Sequence, residues 1–168
     1  MTRRNVAYLF MFFLMASQYS LAQDNLNVMK LESEMLRLIT GNDRDGFMEI
    51  TERLKTECQK QGNERLFYTA WGNQATFEAT HQNYVKADQV ADRIAEYAED
   101  QNSYWGNYIA LHTRGGTALQ KQDYQSAEDY FMKAVDFRHK YFPDESAGDD
   151  LQELMKIANH RKVHSPSA

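Results

Sequence analysis

The sequence predicts an all-α protein built as a stacked array of helix hairpins, and three observations carry that expectation. Gln82-Asn83-Tyr84-Val85-Lys86-Ala87-Asp88 returns forty positions later as Gln122-Asp123-Tyr124-Gln125-Ser126-Ala127-Glu128. Such a period marks units that bury an apolar face only against a neighbouring unit. Apolar residues recur at spacings of three and four through most of the chain, as amphipathic helices require. Only two prolines interrupt 168 residues, and 42% apolar against 26% charged residues fits one folded, helix-rich domain. A chain of this length hides roughly 70% of its unfolded surface, so a core forms without staples. Cys58 is the single cysteine and has no internal disulfide partner.

Residues 1–22 follow another pattern. Arg3 and Arg4 precede an apolar run from Val6 to Ala16, and Ser20-Leu21-Ala22 places small residues where a signal peptidase reads. An export signal cleaved after Ala22 is expected, since the run is shorter than the ~20 residues of a membrane span. Removing Arg3 and Arg4 takes the formal net charge from −5 to −7. An acidic chain without a basic stripe excludes nucleic acid as a partner. The helical domain is expected over 23–161, outside the cytoplasm, with a disordered tail over 162–168.

The first helix is expected over 27–39, with Val28, Met29, Met35, Leu36 and Ile39 as its apolar set. Gly41-Asn42-Asp43 ends it, and Asp45 is available to cap the second. That second helix carries Phe47, Ile50, Leu54 and Cys58 on one stripe and closes at Gly62-Asn63. A third, 64–82, holds Phe67, Ala70, Trp71, Gln74, Ala75 and Phe77, and Asn83 breaks it. A fourth, 84–100, aligns Ala87, Val90, Ala91, Ile94 and Ala98, small enough for close helix approach.

Ser103 caps the fifth helix, which carries Trp105, Tyr108, Leu111, Gly115, Ala118 and Leu119. Asp123 caps the sixth, with Tyr124, Ala127, Phe131, Ala134 and Val135, and Pro143 stops it after Phe142. A seventh, 148–161, offers Leu151, Leu154, Met155, Ile157 and Ala158 against a polar face of Asp150, Gln152, Glu153 and Lys156. This is the pattern of an end element with one polar side.

The paired helices resemble the tetratricopeptide repeat family. Leu111, Gly115, Tyr124, Ala127, Phe131 and Ala134 take its large, small, aromatic, small, aromatic and small sites in order. Trp71, Ala75, Tyr84, Ala87 and Ile94 do so in the preceding unit, with Ala91 and Glu78 in place of aromatics. The first pair matches less well, with Phe47 and Ile50 where Tyr84 and Ala87 fall later.

The resemblance covers residues 27–142 and implies a right-handed α-solenoid of three antiparallel helix pairs plus a C-terminal capping helix. Spacings of 37 from Phe47 to Tyr84 and 40 from Tyr84 to Tyr124 exceed the family's ~34, implying longer turns. With the export signal, the chain is also similar to the extracytoplasmic helical-repeat sensor segments of bacterial two-component sensor kinases.

The resemblance implies a concave groove, lined by the first helix of each pair, that holds a protein or peptide ligand. The Lys and Asn positions with which some members clamp a terminal carboxylate are here Gly72, Thr76, His112 and Gly116, so that clamp is not expected. The groove candidates are Tyr68, Asn73, Trp105, Asn107, Tyr108, His112 and Arg114. Arg and aromatics anchor many interfaces, while packing between pairs is the plainer reading of Tyr68, Trp105 and Tyr108. A homo-oligomer joined through the array's exposed edge is the competing expectation.

No cofactor and no catalysis is expected. Gly115-Gly116 lies inside a helical pattern rather than after a strand, and Cys58 sits on an apolar stripe. His160 and His164 have helical metal-pair spacing without a third ligand in place. The acidic runs Glu96-Tyr97-Ala98-Glu99-Asp100, Asp144-Glu145 and Asp149-Asp150 read as solvated helix ends, the last pair favoured by the helix dipole.

Overall fold

The computed structural model describes residues 24–164, and among these there are seven helices and no strand. They are α1 (24–38), α2 (Arg44–Gln61), α3 (Glu64–Thr80), α4 (Tyr84–Asp100), α5 (Tyr104–Gln120), α6 (Tyr124–Tyr141) and α7 (Gly148–His164). The expected export signal and residues 165–168 of the expected tail lie outside the described residues; α7 itself continues to His164. No described helix is long and apolar enough to cross a membrane. The chain forms two compact units, one ending at Asn63 with α1 and α2, the other running from Glu64 with α3 to α7.

Four connections are the same turn. Gly62, Gln82, Asn102 and Gln122, twenty residues apart, are left-handed, with φ of 66°, 63°, 54° and 62°. The following amide closes back on the helix just ended: Asn63 to the Cys58 carbonyl at 2.8 Å, Asn83 to Glu78 at 2.8 Å, Ser103 to Ala98 at 2.8 Å and Asp123 to Ala118 at 2.9 Å. The left-handed residue's own amide bonds one residue later, to Gln59, Ala79, Glu99 and Leu119. Two last-turn carbonyls are satisfied each time, the Schellman arrangement.

The residue that closes one helix also starts the next. Ser103 accepts from the Gly106 amide at 2.8 Å and Asp123 from Ser126 at 3.1 Å, as the sequence suggests. Asp43, not Asp45, caps α2 by accepting from Gly46 at 3.0 Å; Asp45 falls in the first turn instead. Asn83 makes no side-chain cap bond and donates to the buried Glu78 carboxylate at 3.0 Å.

The connections are therefore short, contrary to the longer turns expected. The extra period resides in helices of 17 and 18 residues. Arg44, Tyr84 and Tyr124 begin equivalent helices forty residues apart, so Phe47 takes the place of Ala87 and Ala127 rather than that of Tyr84.

In the first unit Val28, Leu31 and Met35 of α1 and Phe47, Ile50, Leu54 and Cys58 of α2 are buried. Met29 and Leu36, expected in the core, are exposed. Burial, then the charge of Glu32, pushes the Cys58 thiol up to about 11, so it stays neutral in the core.

In the second unit α3 packs on α4, α4 on α5, α5 on α6 and α6 on α7, and the first helices α3 and α5 also touch directly. The expected α4 face, Ala87, Val90, Ala91, Ile94 and Ala98, is buried in full. Ala118, Ala127, Phe131 and Ile157 form a core cluster at the α5–α6–α7 end, joined by Leu119, Tyr124 and Leu154. Gly115 lets Phe131 approach, since a Cβ there would lie 2.9 Å from the ring.

α7 covers that end with a phase different from the one expected. Asp150 is 0% exposed, whereas Leu151 and Met155 are 46% and 66% exposed. The stripe turned inward is Asp150, Leu154, Ile157 and Arg161, at helical spacing, and the last reaches Glu128 of α6 at 2.6 Å.

A non-glycine residue in the left-handed region costs about 1–2 kcal/mol, partly offset by the greater chain entropy of a glycine. Gln82 and Gln122 are exposed, so Gln82→Gly and Gln122→Gly should each raise unfolding free energy by up to about 1 kcal/mol in urea titrations. Gly62→Ala should lower it by about the same amount.

Candidate binding site

Equal helix lengths bring equivalent residues to equivalent junctions, and the two junctions of the second unit use opposite chemistry. At the first, Tyr68 of α3 lies buried beneath Ala98 of α4 and Gly106 of α5. A Cβ on Gly106 would fall 2.5 Å from the Ala98 Cβ and 2.6 Å from the Tyr68 ring, so a glycine is required there. At the second, Tyr108 occupies the place of Tyr68, Arg138 that of Ala98, and Asp150, third residue of its helix, that of Gly106. An apolar contact has become a buried polar network.

Asp150 accepts from both partners on α5: His112 Nδ1 at 2.7 Å from Oδ1 and the Tyr108 hydroxyl at 3.1 Å from Oδ2. Arg138 Nη1 donates to the same hydroxyl at 3.0 Å, and its guanidinium lies 4.8 Å from the Tyr108 ring centroid. Burial first, then the Asp150 carboxylate, pushes the Tyr108 phenol well above its ordinary value, so it remains a donor. A carboxylate can only accept, so His112 donates to it through Nδ1–H.

A second layer surrounds this network. Glu145, from the connection before α7, pairs with Arg65 of α3 and lies 3.4 Å from Arg138 Nη2. The Arg65 hydrogen bond is the main reason the Glu145 carboxyl sits below its usual range. Arg65 also stacks over Trp105 at 4.5 Å, and the Trp105 indole donates to the Arg65 carbonyl at 3.2 Å. Arg138 Nε is buried without a hydrogen-bond partner.

Beside the network lies a cavity of about 200 Å³ between α3 and α5, bounded also by Arg138 and Asp149. Of the seven sequence candidates, Asn73, Trp105, Tyr108 and His112 line it, together with Thr69, Thr76 and Thr113. The other three lie elsewhere. Tyr68 is buried against Phe67 and Tyr97. Asn107 donates to the Ser103 carbonyl at 2.8 Å. Arg114 binds Asp92 of α4 at 2.8 Å, in a different cleft shared by α4, α5 and α6.

Gly72, placed at a clamp position by the resemblance, borders the cavity, but its role is close packing. A Cβ there would lie 3.0 Å from Ile109. His160, whose four-residue spacing from His164 had no third ligand, stacks on Tyr124 at 4.1 Å, with the two polar atoms 3.0 Å apart. Among the described residues no group of three or more His, Cys, Asp or Glu is placed to hold a metal ion. Asp150, Arg138, Glu145 and Arg65, which hold the site, were not candidates on sequence.

No protein-family model, curated protein or solved structure matches the chain.

Removing one member of a buried, hydrogen-bonded charge network leaves its partners desolvated and unpaired, at about 3–5 kcal/mol. Asp150→Ala should therefore lower unfolding free energy by about 3 kcal/mol. Asp150→Asn, whose amide keeps the size and an acceptor, should cost about half as much, both read by urea denaturation.

Proposed function

We propose that this chain is a non-catalytic helical-repeat module that binds a protein or peptide outside the cytoplasm, as the sensing portion of a signal-transduction receptor. The observation that carries the reading is the cavity shared by the first helices α3 and α5, bordered by Asn73, Trp105, Tyr108 and His112. At about 200 Å³ it is smaller than the ~300–1,000 Å³ typical of small-molecule sites. That size suits one side chain of a longer ligand lying across the helices.

Its chemistry favours a polar side chain. Three threonine hydroxyls, the Asn73 amide and the His112 imidazole provide donors and acceptors, and Trp105 and Ile109 supply apolar wall. The buried Asp150 holds the His112 ring through Nδ1 in advance of any ligand. Preorganisation of this kind lowers the entropy lost on binding.

Two candidate reactive groups are committed to structure, which supports a non-catalytic reading. The Cys58 thiol is buried and pushed up to about 11, so it is not a thiolate nucleophile at neutral pH. His160 is taken up by Tyr124. The export signal read over 1–22 supports a place outside the cytoplasm.

Peptides selected from a displayed random library should share one polar side chain, and their affinity should depend on the cavity. Thr76 is exposed at its edge, so Thr76→Trp should fill it and weaken selected peptides at least tenfold in fluorescence polarisation, with the helical circular dichroism unchanged. Equal affinity for the variant would remove the α3–α5 cavity as the binding site.

A further inference from the structure

The exposed side of α7 repeats the face on which each hairpin receives its second helix. Leu151 and Met155 are the fourth and eighth residues of α7, and the fourth and eighth residues of α3 are Phe67 and Trp71. Phe67 and Trp71 pack on Tyr97 of the following helix α4, at 5.8 Å and 5.6 Å between ring centroids. On α7 the corresponding side chains are 46% and 66% exposed, with exposed Ala158 and Lys162 continuing the stripe. The face has the shape and polarity of a helix-receiving surface.

We propose that this face receives α7 of a second copy of the chain, antiparallel, across a twofold axis close to Met155. Two features select a second copy. The exposed charges of α7 are segregated, with Asp149 in its first turn and Lys162 near its end. An antiparallel pair therefore lays opposite signs and opposite helix-dipole ends together, whereas a parallel pair opposes like signs.

The stripe is also self-complementary in size. Met155 lies near the middle of the 17-residue helix, so the axis sets Met155 against its own counterpart and brings Leu151 toward the partner's Ala158. A large residue thus meets a small one on both sides, as an isologous contact requires. The apolar stripe of Leu151, Met155 and Ala158 lies outside the lining of the α3–α5 cavity, which Asp149 alone of α7 borders.

One helix pair is a small interface, so association is expected in the micromolar range. Sedimentation velocity of the purified protein should shift from monomer to dimer between about 1 and 100 µM. Met155→Glu should return it to monomer throughout, with unchanged helicity because the side chain is exposed. Asp149→Lys should weaken the dimer at least fivefold, and adding Lys162→Asp should restore it.

Met155→Cys gives an independent reading, because the only native cysteine, Cys58, is buried. Mild oxidation of that variant should yield a disulfide-linked dimer, and the unaltered chain none. A protein that stays monomeric to 100 µM, or a dimer that persists with Met155→Glu, would overturn the proposal.

Discussion

The fold depends on a turn of two or three residues containing one left-handed position. Each such turn satisfies two carbonyls of the helix it ends and supplies the starting residue of the next helix. At Gln82, Asn102 and Gln122 no free length remains for a helix to shift along its neighbour. With turns centred on Gly62, Gln82, Asn102 and Gln122, helices begin every twenty residues. The forty-residue repeat is thus a register imposed by backbone hydrogen bonding. Side chains forty apart, such as Tyr68 and Tyr108, then meet equivalent neighbours.

The connection after α6 departs from that turn, and the chemistry changes where it does. Phe142 to Ala147 form a longer link containing Pro143, which cannot continue the helix. A longer link alone would leave α7 free to rotate about its axis. The Asp150 carboxylate, held by Tyr108 and His112 on one helix while Arg138 on another donates to the same tyrosine, fixes one rotation. Buried ion networks contribute little net stability against a well-packed apolar alternative, because desolvation offsets attraction. Here the apolar alternative is present in the same chain, as Tyr68, Ala98 and Gly106. The ionic version differs in selecting a single orientation for α7.

The helices were legible in the sequence because their apolar faces repeat at helical spacing and their caps are polar residues of the right type. The α4 stripe, the Ser103 and Asp123 caps and the stop before Pro143 all followed from local chemistry. What failed depended on the neighbour met by a side chain. Shared aromatic character aligns Phe47 with Tyr84, whereas the turns make it equivalent to Ala87. A carboxylate at a helix start reads as solvated, and this misplaces Asp150, which is buried. Its spacing of four from Leu154 and seven from Ile157 did signal the inward stripe, but the histidine, tyrosine and arginine that make burial tolerable lie 12 to 42 residues away. Periodicity identifies which residues share a face, and only tertiary pairing decides whether a charge on that face is buried.

The same distinction separates the site residues. Asn73, Trp105, Tyr108 and His112 converge because α3 and α5 touch along one side, a contact made close by Gly72 and Gly106. Arg114 is only two residues from His112, yet helical rotation turns it toward α4, where Asp92 holds it. Proximity in sequence therefore gave no grouping, whereas equal helix lengths did. His112 belongs at once to the cavity wall and to the contact that seats α7. A rotation of α7 that withdrew Asp150 would remove the acceptor that orients the His112 ring beside the cavity. The polarity of that cavity is consequently set by the position of the terminal helix as much as by the side chains that line it.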